Sequence, residues 1–335
     1  MKNRRSLKLI GTVCMAVVLA LTLVYTAGCG GTPTEESYKI GVTQLGTHVA
    51  LDRCRNGFID QMADEGYVEG ENVEYIIRNA EFDENVMATI ADYLVSEEVD
   101  LIFAIATPNA LAAAAAVEGT DIPVVFAAIT DPVDAGLCDS WEMPGGQITG
   151  ASDWADVEAQ VQLGMDIYQA ERLGIIYNAG EPNSIVQLNE LKAAKESLGI
   201  TEIVEATADS TAAVLAAAES LVGQVDAIWE PSDNTVAGAI DSVVQVCEDN
   251  DIPLFCADVG MAESGAISGY GLDYYVNGQT AGEIAARVLE GEDPGTIPVA
   301  TTPMTIIYLC EAAAERMGIT IPSEVLATAT QVCEE

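Results

Sequence analysis

The sequence predicts an α/β protein of two doubly wound parallel-sheet lobes with a ligand cleft between them. Three observations predict it. Short continuous apolar runs such as LIFAIA (101–106) and VVFAAI (124–129) alternate with amphipathic helical stretches, as parallel strands covered on both faces require. Each run ends in a small polar cluster, and open α/β sheets bind ligands in the crevice beyond the carboxyl ends of their strands. The pattern then restarts near residue 157 of a 335-residue chain, which is long enough for two cores.

The chain opens with a basic segment, MKNRRSLK, followed by the apolar run LIGTVCMAVVLALTLVY and then Thr26-Ala27-Gly28-Cys29. That order is the grammar of a secretory signal peptide over residues 1–28. The small residues before Cys29 resemble a bacterial lipobox, although Thr26 stands where Leu is more usual. The resemblance implies lipidation of Cys29, with residues 29–37 as a short tether. The protein is therefore expected to be exported and held to a membrane through its N-terminal lipid.

Along the chain, KIGVTQ (39–44) reads as the first strand, and the next helix places Leu51, Cys54, Phe58 and Met62 on one face. A second strand over 72–78 and a helix with Val86, Ile90 and Leu94 in register lead to LIFAIA. Thr107 is placed to cap the following helix, with Pro108 in its first turn. Beyond VVFAAI and Asp131-Pro132, a weak helical piece containing Trp141 is expected before Pro144-Gly145-Gly146 and the strand QITGAS (147–152). After the restart come strands at 172–178, 201–207, 226–231, 252–257 and 266–275, with helices between them. One of those helices aligns Val236, Ile240, Val243 and Cys247. A helix around 278–290, an extended stretch over 297–308 and a helix at 309–317 close the chain. This ending implies a return to the first lobe and a last crossing to the second. The lobes are expected to comprise 38–152 plus 274–299, and 153–273 plus 300–335. Three crossings between doubly wound lobes describe a type I periplasmic-binding-protein-like fold.

Several segments resemble the solute-binding lipoproteins of ABC transporters, in the family that includes tryptophan- and tyrosine-binding members. They are DLIFAIATP (100–108), PVVFAAITDPVDAGL (123–137), IIYNAGEPNS (175–184), DAIWEPSDNTV (226–236) and YGLDYYVNGQTAGEIAARVLEG (270–291). The resemblance covers nearly all of residues 38–300. It implies a receptor that closes on a small molecule and delivers it to an ABC permease with its ATPase. Glu81-Phe82 departs from a turn usually more polar and glycine-containing, and Trp229 lies near a position usually held by another aromatic.

The residues narrow the ligand chemistry independently. The chain carries 13 Lys+Arg against 53 Asp+Glu, a formal charge of −40, which repels phosphate backbones and argues against nucleic acid as a partner. The strand-end loops hold Thr43, Gln44, Asn79, Thr107, Thr130, Asp131, Asn178, Asn183, Ser184, Asp233, Asn234 and Asp258, with His48 and Tyr270 nearby. They contain almost no cation, so a phosphate or dicarboxylate lacks its usual Arg or Lys. A zwitterion needs less: helix N-terminal N–H groups with the hydroxyl of Thr107 or Ser184 hold its carboxylate, and Asp233, Asp131 or Asp258 holds its ammonium. Trp154, Trp229, Tyr270 and Tyr274 are candidates to flank an aromatic ring.

Of the eight cysteines, Cys14 lies in the leader and Cys29 is the lipid candidate. Cys54, Cys138, Cys247, Cys256, Cys310 and Cys333 are dispersed, and whether any of them pair is open. Cys54 and Cys247 fall on apolar helix faces, as buried free thiols do. There is no C-x-x-C, no metal-spaced Cys/His cluster, no G-x-S-x-G, no H-E-x-x-H and no P-loop. The sequence thus predicts a receptor rather than an enzyme, without metal or cofactor, for a small amino acid-like ligand, aromatic amino acids first. The rival readings are a sensory ectodomain or a sugar receptor of the same fold and, further off, a secreted enzyme.

Overall fold

The computed structural model describes residues 37–333, so the expected leader, Cys29 and all of the tether but Ser37 lie outside the described residues. The first lobe runs β1 (Tyr38–Gln44), α1 (Val49–Asp64), β2 (Val73–Asn79), α2 (Glu84–Ser96), β3 (Leu101–Ile105), α3 (Thr107–Ala116), β4 (Val124–Ile129) and β5 (Ile148–Ser152). The chain then builds α4 (Val157–Ile167), β6 (Arg172–Tyr177), α5 (Pro182–Ala194), β7 (Glu202–Thr207), α6 (Val214–Leu221) and β8 (Ala227–Glu230). It continues through α7 (Asn234–Ala237), α8 (Ile240–Asp249), β9 (Leu254–Cys256), α9 (Val259–Glu263) and β10 (Ser268–Gly271). Last come α10 (Tyr274–Leu289), β11 (Ala300–Thr301), β12 (Ile306–Leu309), α11 (Glu311–Arg316), α12 (Ser323–Leu326) and β13 (Gln331–Val332).

The strands form two sheets, ordered β11-β5-β4-β3-β1-β2 and β13-β12-β10-β9-β8-β6-β7. All pairings are parallel except β10 with β12. Every residue of β3 and β4 is buried, which is why these strands read as unbroken apolar runs rather than alternating ones. Each sheet reverses its winding once, between β1 and β3 and between β6 and β8, so each presents a switch-point crevice at its carboxyl edge. The apolar cores are separate: Phe58, Phe103 and Phe126 belong to one, and Trp229, Leu254 and Phe255 to the other.

Three segments cross between the sheets, after Ser152, after Gly271 and after Thr301. Asn277 on α10 is fully buried where they meet. Its Nδ2 donates to the Ser152 carbonyl (3.0 Å) and to Thr302 Oγ1 (2.9 Å), and its Oδ1 accepts the Ala128 N–H at 3.0 Å. One side chain therefore bridges all three crossings and the end of β4. Ala128 itself has φ +57, a left-handed conformation unfavourable for a residue with a Cβ and tolerated where surrounding contacts fix it.

Several expectations shift. Trp141 lies in turns rather than a helix, among glycines at positive φ (Gly136, Gly145, Gly146) that interrupt any helical run. The expected helix through Val236 and Cys247 is two, α7 and α8, broken at Gly238-Ala239. The stretch 297–308 is interrupted by the third crossing, with β11 pairing β5 in the first sheet. Thr107 does not cap α3: the helix begins at Thr107, its N-cap is Ala106 at φ +79, and Thr107 Oγ1 is buried without a hydrogen-bond partner. Cys54 and Cys247 are free and buried. Cys310 and Cys333 form a disulfide tying the terminal strand β13 to the start of α11. Among the described residues no helix is long and apolar enough to cross a membrane.

Candidate functional site

The two switch-point crevices face one another across a narrow cleft, with about 320 Å³ of unfilled space counting its open mouth. The first lobe contributes His48, Ala50, Leu51, Ala128 and Thr130; the second contributes Asn183, Ser232, Asp233, Asn234, Ala237, Asp258 and Met261. Asp153 and Tyr274 come from the first and second crossings. The walls thus pair an apolar patch with three carboxylates. No Lys or Arg lines this cleft.

The lobes are in contact around it. His48 Nε2–H donates to Asn234 Oδ1 at 3.3 Å, and Arg53 on α1 pairs with Glu263 on α9 at 2.8 Å. Phe82 follows β2 in a turn where it and Glu81 both have positive φ, 63° and 50°. Its ring stacks beside His48 at 6.5 Å. It occupies a slot between Gly46 of its own lobe and Gly238 of the other, and a Cβ on either glycine would collide with it. This is a closed arrangement.

A buried polar layer supports the second-lobe wall. Glu181, in the turn before α5, accepts from Asn183 Nδ2 (3.2 Å), from the N–H and Nδ2 of Asn234 (3.1 and 2.6 Å), and from the N–H and hydroxyl of Thr235 (2.9 and 2.8 Å). Asp233 caps α7 through the Val236 N–H at 2.8 Å and accepts from the Asn178 N–H (2.7 Å) and Ser184 Oγ (2.6 Å). Burial, then the nearby Glu181 charge, push its pKa up to about 7. Asp258 caps α9 through the Met261 N–H at 2.7 Å, and burial raises it to about 6. Asp153 accepts from the Tyr274 hydroxyl at 2.8 Å, and burial raises it too. Desolvation lowers His48 to about 4, so its imidazole is neutral at pH 7. The cleft thus holds three carboxyl groups and no compensating cation, and a positively charged group entering it would favour their ionised forms.

Of the residues expected from sequence, His48, Thr130, Asn183, Asp233, Asn234 and Asp258 line the cleft. Asn178 and Ser184 stand behind it, holding Asp233. The others do not line it. Thr43 accepts from Asn109, Gln44 bonds to Gly46, Asp52 and Arg55, and Asn79 binds Thr47 and its own turn. Asp131 closes a turn through the N–H groups of Val133 and Asp134, and Tyr270 packs against the second core. Thr107, expected to clamp the carboxylate at the start of α3, is buried and does not line the cleft. Trp229 is buried in β8, whereas Trp154 is exposed beside the first crossing. Asp153, Ser232, Met261 and Glu181 were not expected. Asp153 and Ser232 carried a usable signal, each standing directly beyond an expected strand, 147–152 and 226–231.

Residues 39–333 match the model of a family described as ABC transporter substrate binding protein. A tyrosine-binding protein of Clostridioides difficile (strain R20291) is 38% identical over 283 residues, 84% of this chain and 81% of the relative. A Streptococcus pneumonia ABC domain solved in complex with L-Trp is 34% identical, with TM-score 0.85 over 89% of this chain and 100% of its own. A ligand-free, open substrate-binding protein with adhesive properties from Clostridium difficile is 36% identical, with TM-score 0.66 over 89% of this chain and 99% of its own. Identity and coverage are nearly equal in these two matches, and the closed lobes described above fit the first more closely than the second. The chain has the type I periplasmic-binding-protein fold.

Proposed function

This chain belongs to the family of ABC transporter substrate-binding proteins, and we propose that within it the protein captures an aromatic amino acid, tyrosine or tryptophan first, by closing its lobes. The observation that carries this reading is the composition of the cleft: three buried carboxylates and no Lys or Arg, beside the apolar patch of Leu51, Ala237 and Met261 and the Tyr274 ring. Such a lining accepts an ammonium and an apolar or aromatic side chain. It opposes phosphates and dicarboxylates, which lack a cationic partner here. The 38%-identical tyrosine-binding relative and the L-Trp complex support the choice of side chain.

The loaded, closed form is what an ABC permease with its ATPase receives. Interlobe contacts at His48–Asn234, Arg53–Glu263 and Phe82–Gly238 exist only when the lobes are shut, so ligand that bridges the lobes shifts the population toward the delivered form. The signal-peptide grammar of residues 1–28 and the lipobox-like Cys29 support export and a lipid anchor on the outer side of the cell membrane. Calorimetry of the purified protein with tyrosine, tryptophan and phenylalanine tests the ligand, with binding of at least one of them expected. A neutral sugar that binds while all three fail overturns the reading. For the anchor, Cys29→Ala should release the protein from membranes and abolish incorporation of labelled fatty acid; undiminished labelling in that variant refutes it.

A further inference from the structure

The three cleft carboxylates differ in what they already hold. Asp233 accepts three hydrogen bonds across its two oxygens, one to each of Val236 and Asn178 and one to Ser184. Asp258 spends Oδ1 on the cap of α9. Asp153 accepts the Tyr274 hydroxyl on Oδ2, while its Oδ1 is buried without a hydrogen-bond partner and the residue as a whole is only 7% exposed. Asn183 Oδ1, in the opposite wall, is a second buried acceptor without a donor. Buried acceptors are nearly always paired, and an ionised one left alone is costly. The cleft is therefore short of donors, and a ligand that fits must bring them.

We propose that Asp153 Oδ1, not Asp233, seats the primary ammonium of the ligand. The inference rests on the amino acid reading given above and deepens it. A carboxylate offers about four lone-pair directions, and Asp233 has three committed to holding its own loop. Asp153, in the cleft wall, has one oxygen that no hydrogen bond of good geometry commits, with the Thr130 hydroxyl close to the carboxylate, and a partner, Tyr274, that fixes the orientation of the other. Tyr274 is then a positioning residue. Asp153 follows β5 in the first crossing and Tyr274 begins α10 after the second. The ligand's charge is thus read on two of the three crossing segments, rather than on the tip of either lobe.

The test compares an amino acid with its counterpart lacking the amino group. Calorimetry is run with tyrosine and with 3-(4-hydroxyphenyl)propionate on wild type, Asp153→Asn, Asp233→Asn and Tyr274→Phe. Removing one partner of a buried charge pair weakens binding by roughly thirty-fold to several thousand-fold. Asp153→Asn should show a loss in that range for tyrosine and a much smaller change for the propionate. Tyr274→Phe should give a smaller loss with the same preference, and it keeps the test available if Asp153→Asn fails to fold. Asp233→Asn should affect both ligands alike. Equal tyrosine affinity in Asp153→Asn and wild type, or equal losses for the two ligands, overturns the seat. A thermal-shift panel of amino acids and their des-amino counterparts separates this proposal from the functional reading. A non-aromatic amino acid whose shift disappears in Asp153→Asn retains the seat and discards the aromatic ligand, whereas no shift with any amino acid overturns both.

Discussion

Gly238→Ala isolates the closed state. Gly238 ends α7 with φ −67 and ψ −12, angles that alanine adopts without strain. The obstacle is steric: a Cβ there would sit 2.6 Å from Cζ and 2.9 Å from Cε2 of Phe82, with Thr211 Cγ2 at 3.1 Å. Phe82 belongs to the opposite lobe, so its clash exists only when the lobes are shut. Overpacking of this kind costs about 1–3 kcal/mol. Because that cost falls on the closed form, it should appear as a roughly five- to 150-fold weaker Kd. Calorimetry with tyrosine or tryptophan measures the Kd, and a thermal melt of ligand-free protein serves as the control. The ligand-free Tm should change little, and in a Phe82→Ala background most of the penalty should vanish. A Kd unmoved by Gly238→Ala, or a penalty of the same size without the Phe82 ring, would refute the account of Phe82 as an interlobe wedge.

Three further outcomes are expected. Asp233 at about 7 and Asp258 at about 6, both raised from 3.8, together with Asp153 and Glu230, bind protons more readily folded than unfolded. Their stabilisation is full below about pH 4 and is lost as the pH rises toward 7. His48, lowered to about 4, acts in the opposite sense between pH 6.5 and 4, but one imidazole is outnumbered. Melts of ligand-free protein should therefore show Tm falling from pH 5 to 7.5, while the shift produced by an ammonium ligand grows; a rising ligand-free Tm contradicts this. Glu181→Gln replaces one acceptor oxygen by an NH₂ facing the donors of Asn234 and Thr235. Losing charge-assisted hydrogen bonds and leaving buried donors face to face costs about 1.5–3 kcal/mol, which denaturant titration would register, and a loss under 1 kcal/mol would speak against its supporting role. Cys310 and Cys333 lie 23 residues apart, a loop for which cross-linking contributes about 3 kcal/mol. Cys333→Ser should lower stability and expose β12–β13 amides to hydrogen exchange, whereas unchanged exchange would place the order of that strand elsewhere.

The fold was legible because buried parallel strands leave a mark no other element shares. LIFAIA and VVFAAI have no polar face to alternate with, and amphipathic helices between them leave little choice of architecture. Boundaries were less legible where periodicity survives a break. Val236, Ile240, Val243 and Cys247 stay in helical register across Gly238-Ala239, so the division into α7 and α8 left no trace in the pattern. The cleft was legible only as a set of strand-end polar residues. Thr107 has the residue type and position of a cap, yet the left-handed turn at Ala106 starts the helix one residue early and turns its hydroxyl inward. Asp233 and Asp153 are the same chemical group at strand ends. What separates them is how many donors already surround each, and those donors come from residues as distant in sequence as Asn178 and Tyr274.

The convergence of three crossings on Asn277 makes the molecule a lever with its fulcrum inside the protein. Asp153 and Tyr274 lie close to that fulcrum, whereas Phe82, in the turn after β2, lies farther out. A rotation that barely moves the former must carry the latter through a much larger arc. Mechanical advantage then runs one way: a short, strong interaction beside the pivot displaces weak contacts at the rim over a long path. With the ligand seated at Asp153 as proposed, grip and travel would fall to different parts of the receptor, and rim residues would tune how long the jaws stay shut without altering what they hold.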